Sequence, residues 1–113
     1  MKICITSQGK ELVSKIGQGF ERSQYLIIVD LESLEFEAIK NPTMDAAGGA
    51  GIRLARLIAE KGVETLITGH CETDGVHIME AAGIEVIDGI SGRVCETLEG
   101  FRRGDFKAEL LIL

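Results

Sequence analysis

The sequence is poor in the residues that mark several common classes of protein. It contains no tryptophan, one tyrosine and one proline, and aromatic residues make up only 4% of its 113 positions. Because proteins that bind single-stranded nucleic acid stack the bases on aromatic side chains, this composition argues against that class. Basic residues are also in deficit, 12 against 18 acidic ones. The resulting net charge of −6 argues against general nucleic-acid binding, which needs a clustered basic excess.

Cysteines and long apolar runs are also scarce. The three cysteines, Cys4, Cys71 and Cys95, are an odd set at wide spacings without a CxxC pair. Neither a disulfide framework nor a structural zinc site is therefore indicated. The longest uncharged apolar run, from Tyr25 to Val29, is too short to span a bilayer, and the strand-like start at Met1–Thr6 has no signal-peptide core. We expect reduced thiols, no membrane partner and a cytoplasmic location.

The remaining composition is that of an ordinary globular protein, with 45% apolar and 27% charged residues. A chain of this length buries roughly two-thirds of its unfolded surface in one core. We therefore expect a single domain over residues 1–113.

Apolar patterning predicts three strands in the first part of the chain, at Lys2–Thr6, Gln24–Asp30 and Glu35–Lys40. The short interval Leu31–Leu34 suits a hairpin, so the second and third strands should pair antiparallel. Residues 7–23 form a long irregular loop, and loops of that length are usually functional or mobile.

Two helix–strand units with the same arrangement of glycines follow. In each, a glycine ends a helix and leads into an apolar strand, which indicates parallel crossovers. The first unit is a helix at Gly51–Lys61 with a strand at Val63–Thr68. The second is a helix at Asp74–Ala82 with a strand at Ile84–Ile87. A last helix is capped by Ser91 and ends at Gly104. The predicted fold is α/β, a mixed five-stranded sheet in the order 3-2-1-4-5 with three helices.

A glycine-rich run, Gly48-Gly49-Ala50-Gly51, opens directly into the first predicted helix. Glycines allow close approach of the backbone, and a helix start presents free N–H groups, so this loop could hold an anion or a cluster. It could equally be a tight turn packed against the sheet. It is not a dinucleotide fingerprint, because Leu54 stands where a third glycine is required. The thioether of Met44 is a further candidate ligand in the loop.

The pair His70-Cys71 follows the fourth predicted strand. In open α/β sheets ligands bind at the carboxyl ends of parallel strands, and thiolate and imidazole are ligands of iron–sulfur clusters and soft metals. Asp74 and His77, three residues apart at the start of the next helix, could face the same cleft. Singly, each has a simpler interpretation, since a loop histidine is usually solvated and Asp74 could be an N-cap. As a group, these four are the candidate metal ligands.

Several short motifs occur together in a characteristic order: Phe20-Glu21-Arg22-Ser23-Gln24-Tyr25, Asn41-Pro42, Gly48–Gly51, Ala82-Gly83-Ile84 and Ser91-Gly92. In order and spacing they resemble the dinitrogenase iron–molybdenum cofactor biosynthesis family, which includes NifX, a domain of NafY and the C-terminal part of many NifB proteins. The resemblance runs from Met1 to about Asp105. It implies a ribonuclease H-like fold and a non-catalytic role in binding or carrying an iron–sulfur precursor or a finished iron–molybdenum cluster, with cluster-assembly proteins as partners.

On this resemblance, Phe20 and Arg22 join Met44, Gly48, Gly49 and Gly51 as candidate cofactor-binding residues. Two departures from the family pattern stand out. Glu21 occupies a position that is commonly glycine, and Gly19 one that is often histidine or another large residue, so no ligand role is carried over to position 19. The loop after the fourth strand commonly reads Gly-x-x-Gly-Pro, whereas this chain has Gly69-His70-Cys71-Glu72-Thr73-Asp74-Gly75.

Three functions fit the sequence. The first is a metallocluster carrier; the second is a regulatory module that binds an anionic small molecule or nucleotide at Gly48–Gly51; the third is an interaction module that uses Phe20 and its loop. A metal-dependent nuclease, which a ribonuclease H-like fold also suggests, is disfavoured because Lys2–Thr6 and Leu66–Thr68 contain no carboxylate.

Overall fold

The computed structural model describes residues 1–43 and 49–104, which form five strands and three helices. The predicted order of elements is confirmed, with boundaries that move by one to three residues. The strands are β1 Lys2–Ser7, β2 Tyr25–Asp30, β3 Phe36–Lys40, β4 Val63–Ile67 and β5 Glu85–Ile87; the helices are α1 Ala50–Glu60, α2 Thr73–Ala81 and α3 Val94–Arg102.

The sheet has the predicted order, β3-β2-β1-β4-β5, with β1 in the centre. β2 pairs antiparallel with both β1 and β3, whereas β4 pairs parallel with β1 and β5. The α/β architecture and the ribonuclease H-like strand order expected from the sequence are thus confirmed. The carboxyl ends of β1, β4 and β5 meet at one edge of the sheet.

Helices cover both faces of the sheet, and β1 shows how the sequence builds two cores. Successive side chains of a strand point to opposite faces. Ile3 and Ile5 therefore pack on the α3 side, while Cys4 packs between the sheet and helices α1 and α2. Cys4 is fully buried, and burial raises its pKa to about 12. Met79 belongs to the same core, and Ala82, just past the end of α2, is exposed.

Two helix starts differ from the sequence expectation. α2 begins at Thr73 after Glu72, so Asp74 lies in the first turn and is not the N-cap. α3 begins at Val94, and the predicted Ser91 cap is wrong. The backbone N–H of Arg93 instead donates to the Glu96 carboxylate at 2.8 Å. Pattern matching favoured serine because its side chain is a strong cap, but the first loop satisfies this helix end by other means.

The first loop, residues 8–24, is irregular as predicted, and it caps α3 with its backbone. The N–H groups of Val94 and Cys95 donate to the carbonyls of Ser14 and Leu12 at 2.9 and 2.8 Å. Cys95 lies half-buried in the first turn of α3. Within the described part of the chain, no helix is long and apolar enough to cross a membrane.

Candidate functional site

Two threonine hydroxyls join the ends of the central strands. Thr6 Oγ1 on β1 lies 2.8 Å from Thr68 Oγ1, just past β4, and 3.1 Å from the carbonyl oxygen of Gly17. Because the Thr6 hydroxyl has a single proton, Thr68 donates to Thr6 when Thr6 donates to Gly17. Both side chains are fully buried. This contact holds the first loop against the carboxyl edge of the sheet.

The backbone of the first loop packs directly against the residue Gly69, just past the end of β4. A Cβ at Gly69 would lie 2.8 Å from the Gln18 carbonyl oxygen and 3.0 Å from that of Gly17, so only glycine fits there. One residue further on, the Phe20 N–H donates to the His70 carbonyl at 3.0 Å, and the Phe20 side chain is buried. The loop and the β4–α2 connection therefore form one packed unit.

Asn41 holds the far end of this loop. Its side-chain amide donates to the carbonyls of Glu21 and Ser23 at 3.1 and 2.8 Å, and its Oδ1 accepts from the backbone N–H and the hydroxyl of Thr43 at 2.9 and 2.8 Å. Asn41 is 3% exposed. Every hydrogen-bonding capacity of this buried amide is used, which explains the Asn41-Pro42 motif as a scaffold for the Phe20–Ser23 segment.

A cleft of about 410 Å³ lies between the first loop and the β4–α2 connection. One wall is Gly19, Phe20, Glu21 and Arg22, and the other is His70, Cys71, Glu72 and Gly75. Of the predicted site residues, the structure thus brings four into one cavity: Phe20, Arg22, His70 and Cys71.

A glycine one helical turn later leaves room for the Cys71 side chain. A Cβ at Gly75 would stand 2.9 Å from Cys71 Sγ, so the thiol occupies the space that any other residue at position 75 would fill. Burial is the main cause that raises the Cys71 pKa to about 11, and the negative charges of Asp88, Glu21 and Glu72 raise it further. The thiol is therefore neutral at physiological pH.

His70 lies at the rim of the cleft, more than half exposed, with Nε2 3.1 Å from the Glu72 carboxylate. Asp74 and His77 are exposed on α2 and are not among the residues that line the cleft. Among the residues that the structure describes, no three His, Cys, Asp or Glu side chains converge as a metal site. A metal ion bound here by Cys71 and His70 would need further ligands that the described residues do not supply, such as the sulfides of a cluster.

Gly49 and Gly51 of the glycine-rich run lie behind the loop wall. Gly49 has φ 70° and precedes α1, and a Cβ at Gly51 would lie 2.9 Å from a Glu21 carboxylate oxygen. Gly49 and Gly51 do not line the cleft themselves. The candidates Met44 and Gly48 fall outside the described residues.

Sequence reasoning missed Glu21, Glu72 and Gly75 as residues of the site. Only Gly75 left a local signal, because a glycine inside a predicted helix is costly and often marks a close approach. In the sequence the two glutamates resemble ordinary solvated charges. They line the cleft because the first loop packs over the end of β4.

A mixed sheet of order 3-2-1-4-5, with a cleft at the carboxyl ends of its central parallel strands, defines a ribonuclease H-like α/β domain. The family model for the dinitrogenase iron–molybdenum cofactor matches residues 1–104, and the chain belongs to this family.

Two solved structures are similar over most of their length. The apo form of the orange protein from Desulfovibrio gigas is 28% identical, with 91% of this chain and 88% of that one covered and a TM-score of 0.86. The NMR structure of TM1290 from Thermotoga, assigned as NifB-like and to the DUF35 family, is 34% identical, with 91% and 88% covered and a TM-score of 0.79. No curated protein matches the sequence significantly.

Proposed function

We propose that this protein binds an iron–sulfur or iron–molybdenum cluster, or its precursor, in the cleft between the first loop and the β4–α2 connection, and carries it without catalysing a reaction. The observation that carries the proposal is the placement of Cys71 and His70 on one wall of the 410 Å³ cleft at the end of β4. Family membership supports the same class of cargo. Sulfur and imidazole donors suit iron–sulfur chemistry.

The donor set favours transient over permanent holding. Because the Cys71 thiol is neutral at physiological pH, coordination through sulfur must displace a proton, which weakens binding at neutral pH. Because Cys71 and His70 are the only sulfur and imidazole donors among the described lining residues, the cluster would keep most of its own ligands. These properties suit delivery to a partner such as a cluster-assembly protein.

The alternative, an anionic metabolite bound by the glycine-rich run, has less support. The Glu21 carboxylate already lies beside Gly51, where it fills space and repels a second negative charge. A metal-dependent nuclease has still less support. Such enzymes need carboxylates to hold divalent metals, whereas two threonine hydroxyls meet where β1 and β4 end.

Anaerobic titration with isolated iron–molybdenum cofactor, and separately with ferrous iron and sulfide, tests the proposal. We expect saturable charge-transfer absorbance for the wild type, and an affinity at least tenfold weaker for Cys71→Ala because a direct ligand is lost. Cys95→Ala is the matched control, since Cys95 lies on α3 outside the cleft lining. No binding by the wild type at micromolar protein, or equal weakening in Cys95→Ala, would overturn it.

A further inference from the structure

A second cleft, of about 360 Å³, also borders the first loop. It lies at the carboxyl ends of β4 and β5, the edge of an open α/β sheet where ligands bind. Its lining includes Gln8, Lys15, Gln18 and Ser91, and none of these lines the cleft of Cys71. The volume falls near the lower end of the roughly 300–1,000 Å³ typical of small-molecule pockets, so a small ligand is favoured.

Backbone hydrogen bonds close a ring beside this cleft. Gly69 N–H donates to Gly17 O at 3.2 Å, Gly89 N–H donates to Gly69 O at 2.9 Å, and Ile16 N–H donates to Gly92 O at 2.9 Å. The chain itself joins Ile16 to Gly17 and Gly89 to Gly92. Three separate loops are thereby tied into one circuit, so this cleft is preformed and does not require ordering when a ligand arrives.

Two glycines of the ring have backbone conformations that favour glycine. Gly89 and Gly92 have φ of 76° and 104°, a region that side chains disfavour. A Cβ at Gly89 would contact nothing within 4 Å. The backbone is therefore accessible where Gly89 lines the cleft, whereas a Cβ at Gly92 would lie 3.1 Å from a Glu96 carboxylate oxygen.

The charge of this lining differs from that of the first cleft. Among the described residues that form it, Lys15 is the only charged one, in a protein of net charge −6. The side chains of Lys15, Gln18 and Ser91 are exposed and make no hydrogen bond or ion pair with other described residues. One cation and two neutral donors are thus uncommitted, and no carboxylate is among the described lining residues. The Glu96 carboxylate, which lies beside Gly92, already accepts a hydrogen bond from the Arg93 N–H at 2.8 Å.

We propose that this second cleft binds a small polar oxyanion, a carboxylate or phosphate compound, whose negative group pairs with the Lys15 ammonium. Gln18 and Ser91 supply neutral hydrogen bonds to the rest of the ligand. Charge-assisted hydrogen bonds are the strong ones in such a site, so Lys15 carries most of the selectivity. The proposal is independent of the metallocluster, because neither the ligand nor the lining involves metal.

Amide NMR titration of the full chain with inorganic phosphate, citrate and uncharged glycerol, at constant ionic strength, tests this site. We expect saturable shifts at Gln18, Gly89 and Gly92 with an anion and none with glycerol. Saturation by phosphate alone identifies a phosphoryl ligand, and saturation by citrate alone a carboxylate. Lys15→Gln should weaken binding at least about fivefold. Lys10→Gln, with the same charge change in the same loop but outside the lining, should leave it unchanged.

Three outcomes would overturn the proposal: no saturable shift with either anion at tens of millimolar, equal weakening in Lys15→Gln and Lys10→Gln, or shifts centred away from the ring. Because the probes contain no metal, each outcome is readable whether or not the protein binds a cluster.

Discussion

At the residue scale, Asn41 shows how one buried amide shapes the site. Asn41→Asp keeps the size but replaces the NH₂ group, so the carbonyls of Glu21 and Ser23 lose their donor and face a carboxyl group instead. We expect a loss of about 2–4 kcal/mol in the free energy of unfolding, measured by urea denaturation. Gln24→Glu makes the same chemical change at an exposed neighbour and should cost almost nothing. Equal effects would refute the scaffolding role.

The two most buried thiols predict how stability depends on pH. Cys4 and Cys71 have pKa values of about 12 and 11 in the folded protein, against an ordinary value of 9.0, mainly because burial disfavours the thiolate. Above the ordinary value the unfolded chain loses these protons first. The folded state then binds more protons, and stability falls as pH rises.

Unfolding measured between pH 8 and pH 11 should therefore show stability that decreases with pH, and Cys4→Ala should flatten the profile once each protein is normalised at pH 8. Ile3→Val, a conservative core change on the same strand, contributes no titrating group and should keep the wild-type slope. Parallel profiles for the wild type and Cys4→Ala would contradict the prediction.

At the element scale, the junction of β1 and β4 depends on the paired hydroxyls of Thr6 and Thr68. Thr6→Val leaves the buried Thr68 hydroxyl without its partner, at a cost of about 1–3 kcal/mol. Adding Thr68→Val removes that orphaned group, and the Gly17 carbonyl still accepts from the Gly69 N–H. We expect the double variant to be no less stable than Thr6→Val alone. Additive losses in a double-mutant cycle would show that the two hydroxyls act independently.

The elements themselves were predictable because their signals are local. Gly62 and Gly83 end helices and start strands within a few residues, and both have positive φ, so the parallel crossovers could be inferred from the chain alone. The start of α3 could not, because its first amides are satisfied by Leu12 and Ser14, residues that are distant in sequence. Capping propensity favours a serine at this helix start, but hydrogen bonds to the first loop satisfy the amides instead.

At the scale of the whole molecule, the strand-end cleft was partly predictable. The rule that ligands bind at the carboxyl ends of parallel strands located His70 and Cys71 correctly at the edge of the sheet. It could not indicate that Glu21 and Glu72 line the same cavity, nor that Asp74 and His77 lie outside the lining. Those facts depend on how the first loop packs over Gly69, and a contact of that kind leaves no periodicity in the sequence.

The short segment from Ile16 to Phe20 contributes backbone to both clefts, since Ile16 and Gln18 line one and Gly19 and Phe20 line the other. Ligands bound in the two clefts would therefore be separated only by this segment, which acts as a partition between them. If a ligand on one side shifts that partition and alters affinity on the other, thermodynamic reciprocity requires the second occupant to alter the first by the same factor. On the two proposals above, the affinity for the cluster would then depend on the concentration of the small anion, and the reverse would hold to the same degree.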